Sequence, residues 1–263
     1  MNPISKLYAS RCKDGKPTFW KPEPLPYRKI CYYSDNTRLA DSYGLDMVRR
    51  IIGIGLNMEV NVGRYVIKGL KKDLPDGGPH LALLLRSNAA DEARHEEGFK
   101  EANNTYGSVT DKQLQQLVSA WSDEANKSSN PISVAGQLEV GVFLITLGLM
   151  RIVGNSGITR LAIKIAEDEY RHVQTNHAIS TALGLWGKPN LDLIDSTLAW
   201  VFGAGLPELP GITFDKIRRY SRELLSDLNS PEFDNLTWYS FHHLPFELEN
   251  NYLYSERDYG QEN

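Results

Sequence analysis

The chain has 263 residues and a formal charge of −4, long enough for one domain with a substantial core and without the basic footprint of a nucleic-acid binder. Lys and Arg are dispersed rather than clustered. Its two cysteines, Cys12 and Cys31, are too few for a disulfide framework and lack a metal-ligand spacing, so a reducing cytoplasm is the expected location.

Residues 1–38 carry Pro17, Pro22, Pro24 and Pro26, which forbid a long helix, and the segment reads as an extended arm laid over the body. Its start, with Lys6, Arg11 and Lys13, lacks the apolar region of a signal peptide. From about Leu39 to Leu74, Leu45, Val48, Ile52, Leu56, Val60 and Val66 recur at helical spacing, and Pro75-Asp76-Gly77-Gly78 stops the run. Pro79 is a good first-turn residue for a second helix, which Gly107 ends after Tyr106. A shorter helix spans Asp111 to about Lys127. A fourth runs from about Ser133 to Val153, turns at Gly154-Asn155-Ser156-Gly157, and a fifth continues from about Ile158 to Leu185. Helices near 191–202 and 212–228 complete a body spanning 39–229. No run alternates as a sheet strand does, so the expected class is all-α.

The most apolar stretch, Ile132 to Met150, has Gln137 and Glu139 at its centre, so it reads as a buried core helix and no membrane partner is expected. Residues 230–263 form a tail with Trp238, Phe241, His242, His243, Tyr252, Tyr254 and Tyr259 among acidic residues, suited to packing on the body or meeting a partner.

Two segments repeat. Asp91-Glu92-Ala93-Arg94-His95 and Asp168-Glu169-Tyr170-Arg171-His172 share the pattern D-E-x-R-H, 77 residues apart. Each follows a lone glutamate in an apolar helix: Glu59 lies 33 residues before Glu92, and Glu139 lies 30 before Glu169. At 1.5 Å per residue, Glu59 and Glu92 lie roughly 27 and 21 Å from their hairpin tip, and Glu139 and Glu169 about 22 and 18 Å from theirs. Both hairpins therefore present two carboxylates and an imidazole at mid-height. Within each E-x-x-H, positions i and i+3 share a face and can chelate a common centre. Apolar neighbours flank Glu59 and Glu139, and a buried carboxylate is costly unless paired or metal-bound. Four carboxylates and two divalent cations balance in charge.

The arrangement resembles the ferritin-like di-metal carboxylate superfamily, built on one Glu from each of two helices and Glu-x-x-His from each of the other two. The resemblance covers about residues 39–186 and implies a ferritin-like four-helix bundle core with additional helices, the arm and the tail lying outside it. It implies two iron ions, or a manganese/iron pair, held by Glu59, Glu92, His95, Glu139, Glu169 and His172. In relatives with D-E-x-R-H the Asp of one motif bonds the His of the other, so Asp91 is expected to orient His172, and Asp168 to orient His95. Arg94 and Arg171 either join this network or pair with Glu97 and Glu167 on the surface.

The motif is most similar to those of di-iron monooxygenase hydroxylases, acyl-carrier-protein desaturases and arylamine N-oxygenases. The function this implies is O2-dependent oxidation of a small or carrier-bound organic substrate, with electrons from a ferredoxin or reductase; a homodimer is compatible with it. Candidate pocket residues are Phe99, Phe143, Thr146 and Gly136. Small residues at Gly53, Gly55, Gly136 and Ala90 either leave room for O2 or substrate or serve close helix packing. Three positions depart from relatives. Phe143 stands where many monooxygenases have Thr, Ile165 replaces the extra His of the N-oxygenases, and Phe99 occupies the usual place of the radical tyrosine in ribonucleotide reductase small subunits. That last family, in its manganese/iron form, is the alternative; iron storage is a more distant one.

Overall fold

The structure is a computed structural model that describes residues 3–14, 16–25, 31–34, 37–40, 42–70, 79–152, 156–183, 187–203 and 213–228. It is all-α apart from two small ribbons. The helices are α1 (Pro3–Ser10), α2 (Ser42–Leu70), α3 (Pro79–Tyr106), α4 (Lys112–Lys127), α5 (Pro131–Ile152), α6 (Ser156–Leu183), α7 (Leu191–Phe202) and α8 (Phe214–Leu228). The ribbons are antiparallel: β1 (Cys12–Lys13) with β2 (Lys16–Pro17), and β3 (Cys31–Ser34) with β4 (Thr37–Ala40). The loop Pro75-Asp76-Gly77-Gly78, the turn residues Gly154 and Asn155, and the tail 230–263 lie outside the described residues.

The arm differs from the expected extended segment. Its prolines begin to repeat only at Pro17, so Pro3–Ser10, with its single proline in the first turn, is free to form a helix. α1 packs on α3 and α6. The β4 strand occupies 37–40, so α2 begins at Ser42 rather than Leu39.

Side-chain caps set the ends of the shorter helices. Asp111 accepts from the Leu114 amide at 2.8 Å, Asn130 from Ser133 at 3.4 Å and Asn190 from Leu193 at 3.2 Å, each satisfying an amide that the first turn leaves free. Pro131 then starts α5 without the loss of a hydrogen bond.

α5 is the centre of the molecule: every residue from Pro131 to Ile152 is buried. A helix that is apolar all round needs neighbours on all sides, and α2, α4, α6, α7 and α8 supply them. By length and composition this helix is able to cross a membrane, but 94% of its most apolar window is buried inside the protein. Trp121 of α4 donates to Thr197 of α7 at 3.0 Å, and Trp200 of α7 donates to the Asp111 cap at 3.1 Å. The two large indoles are thus buried with their N–H groups satisfied.

α2 and α3 form the most extensive pair, antiparallel along most of their length. Two glycines of α2 decide how closely its neighbours approach. A Cβ on Gly53 would stand 2.1 Å from the Val109 carbonyl oxygen, and one on Gly55 would stand 2.3 Å from the Phe99 ring. Both positions serve close packing and leave no room for O2 or substrate. Ala90 is solvent-exposed, away from the core.

Helix propensity alone would make Gly53→Ala stabilising by roughly 0.5–1 kcal/mol. The close carbonyl reverses the sign: Gly53→Ala should destabilise by about 1–3 kcal/mol, as overpacked cores do. Thermal unfolding of the variant beside wild type checks this, and a raised Tm would contradict the packing described.

Candidate metal centre

Four long helices each bring carboxylates to one level of the core. α2 supplies Glu59, α3 supplies Asp91, Glu92 and His95, α5 supplies Glu139, and α6 supplies Asp168, Glu169 and His172. All eight side chains are at most 1% exposed. The six expected ligand residues fall into two overlapping groups, Glu59, Glu92, His95 and Glu169, and Glu92, Glu139, Glu169 and His172. In each, one ligand atom per residue lies within 4.8 Å of all the others. Glu92 and Glu169 belong to both groups, so the two groups share a pair of carboxylates and each could hold a cation.

The two imidazoles fix the direction of the centre. His95 Nδ1 faces Glu59 Oε2 at 3.4 Å and Glu169 Oε1 at 3.3 Å, while His172 Nδ1 faces Glu92 Oε1 at 2.9 Å and Glu169 Oε2 at 3.5 Å. The Nε2 atoms point the other way. His95 Nε2 meets Asp168 Oδ2 at 3.1 Å, and His172 Nε2 meets Asp91 Oδ2 at 3.0 Å. An ionised aspartate only accepts, so it holds the hydrogen on Nε2 and leaves Nδ1 to the carboxylates. Each Asp thus faces the histidine of the other hairpin. The rings stand 5.8 Å apart, 29° from parallel.

A second ring of charge surrounds the aspartates. Arg94 contacts Asp91 and reaches Asp168 Oδ2 at 3.0 Å, and Arg171 contacts Asp168. Of the two alternatives for these arginines, the structure contains the inner network. Two further members come from the arm and carry no sequence signal. Arg11 contacts Asp91 and Asn88, and Trp20 donates its indole N–H to Asp168 Oδ2 at 2.8 Å while lying over His95 at 6.3 Å. Phe19 covers Arg94, with 4.4 Å from the guanidinium to the ring centroid. Two Asp and three Arg leave this outer ring at +1, so it does not neutralise the four glutamates inside it.

Glu139 sits at the start of a wide π-turn, Glu139–Phe143, within α5. The Leu144 amide reaches back to the Glu139 carbonyl, the Ser221 hydroxyl of α8 donates to the Gly141 carbonyl at 2.8 Å, and Gly141 lets Ile194 and Leu225 come close. Such turns recur at functional sites because they re-aim a side chain without ending the helix. Asn176, one turn after His172, donates to Glu139 Oε2 at 2.5 Å. Its spacing of i+4 from His172 placed it on the same face, a signal legible only once the motif is recognised.

Three of the four expected pocket residues, Phe99, Thr146 and Gly136, each meet a neighbour in the core. Phe99 packs on Gly55, the Thr146 hydroxyl donates to the Phe143 carbonyl at 3.0 Å, and Gly136 faces Asn176. The groove that reaches the centre lies between α2 and α3, has a volume of about 410 Å³, and meets Glu92 past Gly63, Ala89 and Ala93.

The donor set fits cations. Both oxygens of Glu92 and of Glu169, one of Glu139, and His172 Nδ1 are buried without a hydrogen bond; the His172–Glu92 approach lies off the direction a ring N–H needs. Acceptors crowded together without donors leave the desolvation cost unmet. Mixed carboxylate and imidazole ligation suits iron, manganese or zinc. Without metal, protons have to serve. Burial raises the carboxyls of Glu59 and Glu139 well above their ordinary range. Burial alone would lower the two histidines, but the carboxylates beside them outweigh it, raising His95 well above its ordinary value and His172 to about 9. Burial would likewise raise Glu92, yet the His172 charge brings it below the usual carboxylate range.

No protein-family model, no curated protein and no solved structure matches this chain.

Three outcomes follow from this arrangement. Loading with divalent ions should displace protons, because the raised carboxyls and imidazoles give them up on ligation, and the share from His172 should disappear as the pH passes about 9, where that ring is already neutral. Indicator-dye titration in weak buffer measures the count, and release that does not fall at high pH would contradict it. For the metal-free protein, the raised His172 stabilises fully below the unfolded value of about 6.5 and loses that stabilisation as pH rises through about 9. Asp91→Ala and Asp168→Ala should each weaken metal affinity roughly 10- to 100-fold with the fold retained; unchanged affinity in both would make the aspartates mere spectators.

Proposed function

We propose that the chain is an O2-activating di-iron oxidase or oxygenase whose core is a ferritin-like four-helix bundle of α2, α3, α5 and α6. The observation that carries this is the set of six buried ligand side chains arranged as two overlapping groups that share Glu92 and Glu169. One ion would be held by Glu59, Glu92, His95 and Glu169, the other by Glu92, Glu139, Glu169 and His172. The pair of irons, when bound, supplies two-electron chemistry toward O2. In a monooxygenase reaction one oxygen atom enters the substrate and the other becomes water, with two electrons from an external ferredoxin or reductase and two protons.

The protein's own residues do the remaining work. Asp91 and Asp168 orient the imidazoles and raise their basicity. Arg11, Arg94 and Arg171 hold those aspartates in place by ion pairs, and Trp20 by a hydrogen bond. The arm residues Phe19 and Trp20 roof the histidine side, so water is kept from the centre there. Asn176 holds one Glu139 oxygen and leaves the other to a cation. Low dielectric around the site strengthens each of these contacts.

The manganese/iron ribonucleotide reductase subunit remains the second reading, and iron storage a third. Phe99 speaks against a tyrosyl radical of the usual kind: it is one turn from His95, buried, and its ring is packed on Gly55.

Protein reconstituted anaerobically with ferrous iron should hold two ions per chain and consume O2 when it is admitted. Glu139→Ala should lose one ion and reduce the rate of O2 consumption roughly 100-fold, a change of about 2.7 kcal/mol in the barrier. Electron paramagnetic resonance of the oxidised wild type should show no stable tyrosyl radical. A single ion indifferent to Glu139→Ala, or a persistent tyrosyl signal, would overturn the reading.

A further inference from the structure

The groove between α2 and α3 touches the ligand set at Glu92, and its walls have a definite chemistry. On α2, Val60, Gly63 and Ile67 follow one another at helical spacing along its floor, with Ile67 an exposed large apolar residue at 37%. On α3, Ala89 and Ala93 keep the opposite wall low. Gly63 opens the inner end: a Cβ there would stand 3.3 Å from Glu92 Cβ, filling the approach to that side chain. The inner end is therefore an apolar slot that meets the stem of Glu92, whose two buried oxygens have no hydrogen bond.

The outer end is cationic. Arg64 and Lys68, at i and i+4 on α2, line the same groove. Arg64 donates to the Asn61 amide oxygen at 3.2 Å, and Lys68 to the Asn126 amide oxygen at 2.7 Å. Neither pairs with a carboxylate among the described residues. Lys68 lies five residues, about 7.5 Å of helix rise, beyond the level of Gly63 and Glu92.

We propose that this groove is the substrate site and that it takes an aliphatic organic carboxylate, its anionic end held by Arg64 and Lys68 and its apolar chain laid over Ile67 and Val60 toward Glu92. The inference rests on the oxidase reading for what becomes of the chain end, but the binding does not. A free anionic head matches two cations whose present partners are neutral amides, and an apolar body of about 7.5 Å spans the helix rise from Lys68 to the level of Glu92. The far end of the chain, not the carbon next to the carboxylate, is then the one presented to the metals.

Octanoate is a suitable probe, with octanol and octylamine as neutral and cationic counterparts of equal length. Calorimetry on the full chain with both irons bound, kept reduced and free of O2, should show octanoate binding one per chain. Octanol should bind roughly 10-fold or more weakly, since a charge-assisted contact is lost, and octylamine weaker still. Arg64→Glu/Lys68→Glu should weaken octanoate by roughly 10-fold or more and abolish the preference over octanol. Ile67→Glu, which places a like charge on the exposed apolar floor, should weaken it similarly. Equal affinity for the three probes, no binding of octanoate, or octanoate affinity unaltered in both variants would overturn the proposal. Because no turnover is read, octanoate binding without O2 consumption would fault the oxidase reading alone, and O2 consumption without octanoate binding would fault the groove alone.

Discussion

The desolvation of four glutamates at one level of a helical core is the constraint on which the rest of this structure depends. Ionised carboxylates that close together in a low dielectric repel one another and have lost their water, a cost of several kcal/mol per charge unless it is compensated. Every layer around them reads as compensation. Two imidazoles face inward with Nδ1, two aspartates hold the imidazoles from behind, and three arginines with one indole hold the aspartates. The outer ring almost neutralises itself, which leaves the inner glutamates to protons or to metal ions. In this the inner cluster, which could hold a metal ion, differs from a buried salt-bridge network whose charges pair among themselves.

The same constraint explains why the central helix is so apolar. Glu139 is able to stay at 0% exposure only if α5 is enclosed on every side, and α7 and α8 complete that enclosure at the π-turn itself. Ser221 on Gly141 and the contacts of Ile194 and Leu225 with the same glycine tie the added helices to the turn that aims the carboxylate. The accessory helices thus belong to the architecture of the centre, although they contribute no ligand to it.

The two faces of the cluster are treated differently. On the histidine side the arm closes over the aspartates with Arg11, Phe19 and Trp20. On the α2–α3 side small residues leave Glu92 at the end of a groove with a cationic mouth. The cluster is thus enclosed by aromatic and cationic side chains on one face and bordered by a groove on the other.

Much of this was legible in the sequence by itself, and the reason is periodicity. The 3.6-residue rhythm, Pro79 and the Gly107 stop located the long helices, because those signals are local and act through the backbone, whereas the Asp111, Asn130 and Asn190 caps came to light only with the structure. The duplicated D-E-x-R-H and the matched distances of Glu59 and Glu139 from their hairpin tips brought six residues to one level, since rise per residue is fixed in a helix. Tertiary structure alone decided the rest. Arg11 and Trp20 lie 80 and 148 residues from the aspartates they contact, and no local rule relates an arm to the surface it covers. The use of Gly53 and Gly55 for packing, and of Gly63 for access, depends on which neighbour stands opposite each one. A glycine reads alike in all three positions; only the carbonyl of Val109, the ring of Phe99 and the carboxylate arm of Glu92 distinguish them.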